Sequence, residues 1–137
     1  MSKISYSKVA LFAAGLFLAH TCIAEPLNNA EVASHCRDTS EALLRLSHWN
    51  KTAPCTENME LSAKYLELAA NSVRQDQIPY ALMHLNFATK ELNDLSHRTQ
   101  CAYFAIKTRP HLVTLAQLSI DVESLDRYQS GKPSSQQ

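Results

Sequence analysis

Between Glu25 and Ser130 the chain contains no glycine. Tight turns in sheets need positive backbone φ, and glycine supplies it at the lowest steric cost. More than a hundred residues without one exclude hairpin-rich sheets and Rossmann-type units. They also remove the glycine-rich phosphate loop and the Gly-x-Ser-x-Gly nucleophile elbow. Ala, Leu, Glu, Gln, Lys and Arg take the space instead, and these residues favour helix. The fold class expected is all-α.

The first 24 residues are set apart from the rest. Lys3 and Lys8 precede an uncharged run from Val9 to Ala19, and Thr21-Cys22-Ile23-Ala24 ends on a small residue before Glu25. This is the layout of a secretory signal peptide, and the run is too short to span a bilayer. Residues 1–24 are expected to be removed, placing the mature chain in the bacterial periplasm or outside the cell. A lipoprotein leader would put small residues just before Cys22, where His20 and Thr21 stand. No transmembrane segment is expected in the mature chain.

Without Lys3 and Lys8 the mature chain keeps 11 of the 13 Lys and Arg against 13 Asp and Glu. That balance marks no partner, and nucleic acid is not expected as one. The mature length suits a single domain with one core, expected over 25–129. Residues 130–137, Ser-Gly-Lys-Pro-Ser-Ser-Gln-Gln, read as a disordered tail. The expected oligomeric state is a monomer or a weak dimer.

Apolar residues recur at spacings of 3 and 4 in four stretches, as amphipathic helices require. Helix 1, about 28–50, carries Val32, Cys36, Leu43 and Leu46, with Ala42 and Trp49 widening the stripe. Helix 2, about 56–75, carries Met59, Leu66, Ala69 and Val73, with Leu61, Tyr65 and Leu68 alongside and Thr56 as N-cap. Helix 3, about 79–108, carries Leu82, Leu85, Leu92, Leu95, Thr99, Ala102 and Ile106. Helix 4, about 110–128, carries Leu112, Leu115, Ser119, Val122 and Leu125. Pro54, Pro79 and Pro110 are candidates for first-turn positions, where a missing N–H costs nothing. Helix 3 is long for its neighbours. The alternative is a new helix capped by Ser96, with Pro110 inside it. Small residues Ala69, Ala70, Ala81 and Ala88 mark the crossing of helices 2 and 3, and Met59 and Met83 read as core filler. Short connections make successive helices antiparallel, so the expected architecture is an antiparallel up-down four-helix bundle, disulfide-stabilised. The apolar stripes are read as core, with no seam left for a partner helix.

Three cysteines remain after the leader. Cys55 falls in the loop after helix 1, and Cys101 lies near the same end. Cys36 precedes Asn50 by 14 residues, hence about 20 Å lower at 1.5 Å per residue. A disulfide needs Cα atoms within about 7 Å. The expected bridge is Cys55–Cys101, leaving Cys36 as a free thiol in the core.

Two segments carry cations and no acid. Residues 45–56 hold Arg45, His48 and Lys51, and residues 97–111 hold His97, Arg98, Lys107, Arg109 and His111. In the bundle both lie at one end, and acids such as Glu31, Asp76, Asp121, Glu123 and Asp126 gather toward the other. These eight residues form the expected anion-binding site, with the N-terminus of helix 4 adding positive potential and the histidines strengthening it below about pH 6.5. Trp49 and Tyr103 at that end have the amphipathic character of interfacial anchors. The partner class is an anionic lipid headgroup or an acidic protein surface. No cofactor is expected. His97 and Cys101, four apart, suggest metal ligation or a Cys–His nucleophile, but the disulfide consumes the sulfur. Asp121 and Glu123 point about 200° apart on a helix and make no acid–base pair. The expectation is a small exported binding protein and not an enzyme. The alternative is a periplasmic metal-binding or chaperone-like protein.

Overall fold

Asn28 opens the first helix through its side chain, its Oδ1 accepting from the Glu31 amide at 2.9 Å. The structure, a computed structural model, describes residues 27–49, 51 and 54–131. The signal peptide over 1–24, the lipoprotein alternative at Cys22 and the tail from 132 onward lie outside the described residues. Within them the helices are α1 (Asn29–Trp49), α2 (Cys55–Arg74), α3 (Ile78–Ser96) and α4 (Ala102–Ser130), with a 3₁₀ turn at Thr99–Cys101 before α4. No described residue is in a strand.

The two ends of the bundle are defined by contacts between residues distant in sequence. At one end Cys55 and Cys101 are bridged, with Cα atoms 5.6 Å apart. At the other, Asn29 Nδ2 donates to the Val73 carbonyl and to Asp76 Oδ1, both at 3.0 Å. The Gln129 side-chain amide donates to the same carboxylate. The N-terminus of α1, the α2–α3 turn and the C-terminus of α4 therefore share one end, and the helices run up, down, up and down. Neighbours in sequence pack most closely, and α4 closes the ring against α1.

The core follows the expected stripes over α1 to α3. Val32, Cys36, Leu43, Met59, Leu66, Ala69, Val73, Leu85, Leu92 and Leu95 are buried. Burial of each large apolar side chain contributes about 1.5–3 kcal/mol. Ala69, Ala70, Ala81 and Ala88 are also buried and let α2 and α3 approach. Two buried serines bind across helices: Ser40 Oγ donates to the Ala63 carbonyl and Ser62 Oγ to the Ala88 carbonyl, each at 2.9 Å. Cys36 is a free buried thiol, as its place on the stripe predicts.

Several boundaries and side chains depart from expectation. Helix 3 does not run to 108. It ends at Ser96, Arg98 is extended (φ −92°, ψ 113°), and the chain re-enters helix through the 3₁₀ turn. Ser96 is the last residue of α3, not a cap, and its hydroxyl donates back to Asn93. The buried phase after the break is Cys101, Phe104, Thr108, Leu115, Leu118, Val122 and Leu125. Ala102 and Ile106, read as core, are exposed. Pro110 lies inside α4 and starts nothing. Its missing N–H would have served the Ile106 carbonyl, and Ile106 lies on the solvent side at 65 % exposure. Pro79 does occupy the first turn of α3. Thr56 lies inside α2 and Pro54 stands at the cap position. Trp49, Leu68 and Met83 are exposed, not core. α4 takes in Ser130, one residue into the expected tail.

Candidate functional site

The disulfide holds the α1–α2 loop against the α3–α4 corner, and this is what assembles the candidate site. His48, in the last turn of α1, and Lys51 in the loop are exposed. His97 caps the C-terminus of α3 and is exposed, and Arg98 beside it is half-buried. Cations suit helix C-termini, so the local fold gives these positions a purely structural role as well. Among the described residues neither Lys51 nor Arg98 lies within ion-pair distance of an acid.

The remaining four predicted residues are distributed differently. Arg45 is one turn below His48 and pairs with Glu41 at 3.3 Å, which neutralises it locally. The early start of α4 carries Lys107, Arg109 and His111 down the bundle, His111 by about 14 Å from Ala102 at 1.5 Å per residue. They line the flank of α4, and the N-terminus of helix 4 is not at Pro110. Lys107 Nζ lies 5.7 Å from the centre of the Tyr103 ring, a cation–π distance. Burial holds the His111 imidazole below its ordinary pKa. It therefore resists the protonation that acidification was expected to bring.

Acids also reach the cationic end. Glu57 is in the first turn of α2, and Asp94 in the last turn of α3. Asp94 accepts from Lys90 at 2.5 Å, and that bond, with Arg98 and His97 nearby, holds its carboxyl below the usual range. The acid-free windows of the sequence stop one residue short of Glu57 and three short of Asp94. The end is thus cationic through Lys51 and Arg98, with His48 and His97 exposed beside them, rather than through eight residues.

Metal and nucleophile chemistry lose their groups here. Cys55 and Cys101 are spent in the bridge. The chain breaks between His97 and α4, so His97 and Cys101 do not share a helix face. Among the described residues no three His, Cys, Asp or Glu side chains converge to hold a metal ion. Burial pushes the Cys36 thiol up to about 12, with Glu67 and Asp121 adding to the effect, so the thiolate that would be reactive is suppressed. Asp121 is buried and accepts from Gln117 Nε2 at 2.8 Å, and Glu123 is exposed, so the two carboxylates do not meet.

The feature missed in the sequence is an exposed apolar row on α4. Tyr103, Ile106, Val113 and Ile120 are all more than half exposed. Crediting Ile106 to the core of a long helix 3 hid it. Compared with protein-family models, with curated proteins and with solved structures, the chain gives no match, and the site rests on its own geometry. Among the described residues no helix is long and apolar enough to cross a membrane.

Proposed function

We propose that this is an exported, non-catalytic binding protein whose cationic end meets an anionic lipid surface through phosphorylated headgroups. One observation carries the reading. Trp49, the single tryptophan of the chain, is 76 % exposed between His48 and Lys51, at the end where the Cys55–Cys101 bridge retains His97 and Arg98. An indole beside cations is the combination that settles at a lipid–water interface, its ring among the acyl chains and the charges on phosphate. The leader layout and the disulfide together support an oxidising compartment.

Because Trp49 is the sole indole, its emission reports the contact directly. Vesicles containing phosphatidylglycerol should shift it to the blue, and phosphatidylcholine vesicles should not. The shift should fade with salt, as the screening length falls from about 10 Å at 0.1 M to about 3 Å at 1 M. Replacing Lys51 and Arg98 by alanine together should weaken binding roughly thirtyfold, taking about 1 kcal/mol for each cation near an anionic surface. A shift indifferent to salt, or none on anionic vesicles, refutes the proposal. The mass of the processed N-terminus tests export: it should correspond to a start at Glu25.

A further inference from the structure

We infer that the upper half of α4, from Tyr103 to Val113, lies against the same anionic bilayer as the Trp49 end, so that the bundle docks tilted on one edge and not on its tip alone. This rests on the lipid reading above and adds a surface that reading leaves unused. Tyr103, Ile106 and Val113 are each more than half exposed. With exposed Pro110 they fall at spacings of 3 and 4 on one line of the helix. Lys107 stands about 100° to one side of Ile106 and Arg109 about 60° to the other, and both are exposed. Lys107 Nζ lies 5.7 Å from the Tyr103 ring centre, which keeps a cation at the edge of the apolar line.

Charge selects the occupant. From His97 to Ile120 the chain holds no acid. The acids of neighbouring elements are taken up or turned away. Glu91 of α3 accepts from Asn58 of α2 at 2.8 Å, Asp94 accepts from Lys90, and Glu41 of α1 pairs with Arg45. Glu57 is on α2, which packs on α1 and α3 and stands diagonal to α4. Neither Lys107 nor Arg109 has an ion-pair partner among the described residues. An apolar line with cations of one sign on both flanks matches a surface that has acyl chains beneath phosphates. A purely acidic protein surface would use the cations and leave Ile106 and Val113 without a partner. The line also continues the Trp49 end. Ser40, nine residues before Trp49 and so about 180° around α1, binds the Ala63 carbonyl of α2. Trp49 is therefore turned away from α2, and the other neighbour of α1 is α4. The contact has a lower limit. Val113 is about 16 Å along α4 from Ala102, and Asp38 of α1 is about 16 Å below Trp49. Beyond Val113 the exposed Glu123, Asp126 and Arg127 mix both signs and match no single-signed surface.

The test moves the indole. In oxidised protein with Trp49→Phe, Val113→Trp should shift to the blue on phosphatidylglycerol vesicles and be quenched by brominated acyl chains. Tyr80→Trp in the same background, exposed on α3 toward the other end, should do neither. Val113→Glu, with Trp49 in place and circular dichroism unchanged, should weaken vesicle binding about tenfold, the low end for taking a valine side chain out of water. A parent Trp49 that ignores anionic vesicles refutes the lipid reading, and this inference falls with it. A parent Trp49 that shifts while Val113→Trp stays silent, or Val113→Glu binding as tightly as the parent, overturns this inference alone. A vesicle-free dimer in sedimentation equilibrium that Val113→Glu dissociates overturns it too, assigning the face to a second copy.

Discussion

A helical chain with no glycine between Glu25 and Ser130 must still turn corners, and Asp76 does so at φ 61°, the left-handed region that L-residues avoid. Around it the Gln77 amide donates to the Ser72 carbonyl at 2.8 Å and the Asp76 amide to Val73 at 3.1 Å, the Schellman closure of α2. Aspartate tolerates this conformation better than most residues. Its carboxylate also accepts from Asn29 and Gln129, which ties the turn to α1 and α4. Both effects bear on the outcome of substitution. Asp76→Asn should be nearly neutral, because asparagine keeps the conformation and an acceptor. Asp76→Gly removes strain but also both amide bonds and should cost about 1 kcal/mol. Asp76→Ala loses both and should cost about 2–3 kcal/mol. Urea unfolding of the three variants gives the order, and a glycine variant more stable than the parent would show that the carboxylate bonds contribute nothing. In the sequence Asp76 read only as one of several acids at the far end, because no glycine marks the left-handed position. Cys36 was legible: its place on the α1 stripe already implied a buried, free thiol.

Among the elements, α1 and α2 were readable to within a residue or two because their apolar rows have one phase and stop a few residues before Pro54 and Pro79. The α3–α4 boundary was not. The row through Leu92, Leu95, Thr99, Ala102 and Ile106 keeps helical spacing across the break, so periodicity alone runs straight on. The true buried phase resumes two positions later, at Cys101, Phe104 and Thr108. Two residues are about 200° of helix, so a continuous reading turns the wrong face inward. Proline compounded the error. Pro110 suits a helix start but sits mid-helix on the exposed side, while on the buried side Thr108 donates its hydroxyl to the Phe104 carbonyl at 2.9 Å. Pro110→Ala should therefore restore a backbone bond to Ile106 and raise stability by about 1–3 kcal/mol, a part of what an interior proline costs. Thermal unfolding followed by circular dichroism checks this. A lower midpoint would mean that the packing of α4 on α1 and α3 depends on the proline itself.

At the scale of the whole molecule, the sequence was most informative where geometry allowed elimination. Three cysteines and antiparallel rods left one pair within reach, and that pair is bonded. Charge was less legible, because acids just outside a cation window on the sequence, Glu57 and Asp94, lie beside it in space. The outer row of α4 escaped because Ile106 was credited to the core of a long helix 3 and Val113 and Ile120 to no stripe at all. The disulfide spans 46 positions and joins the two corners of one end, whereas the far end is cross-linked by the Asp76 bonds. The two ends should respond differently to its loss. Reduction should lower global stability by about 2–4 kcal/mol, chiefly by freeing the unfolded chain. In the reduced native state, amide exchange should accelerate first at the start of α2 and over 97–104, while Gln77 and the last turn of α2 remain protected. The cationic residues around Trp49 and Arg98 would then no longer be held together, so reduced protein should bind anionic vesicles more weakly than oxidised protein at the same salt. Uniform acceleration over both ends would show that the bridge acts only through overall stability and does not hold the site in shape.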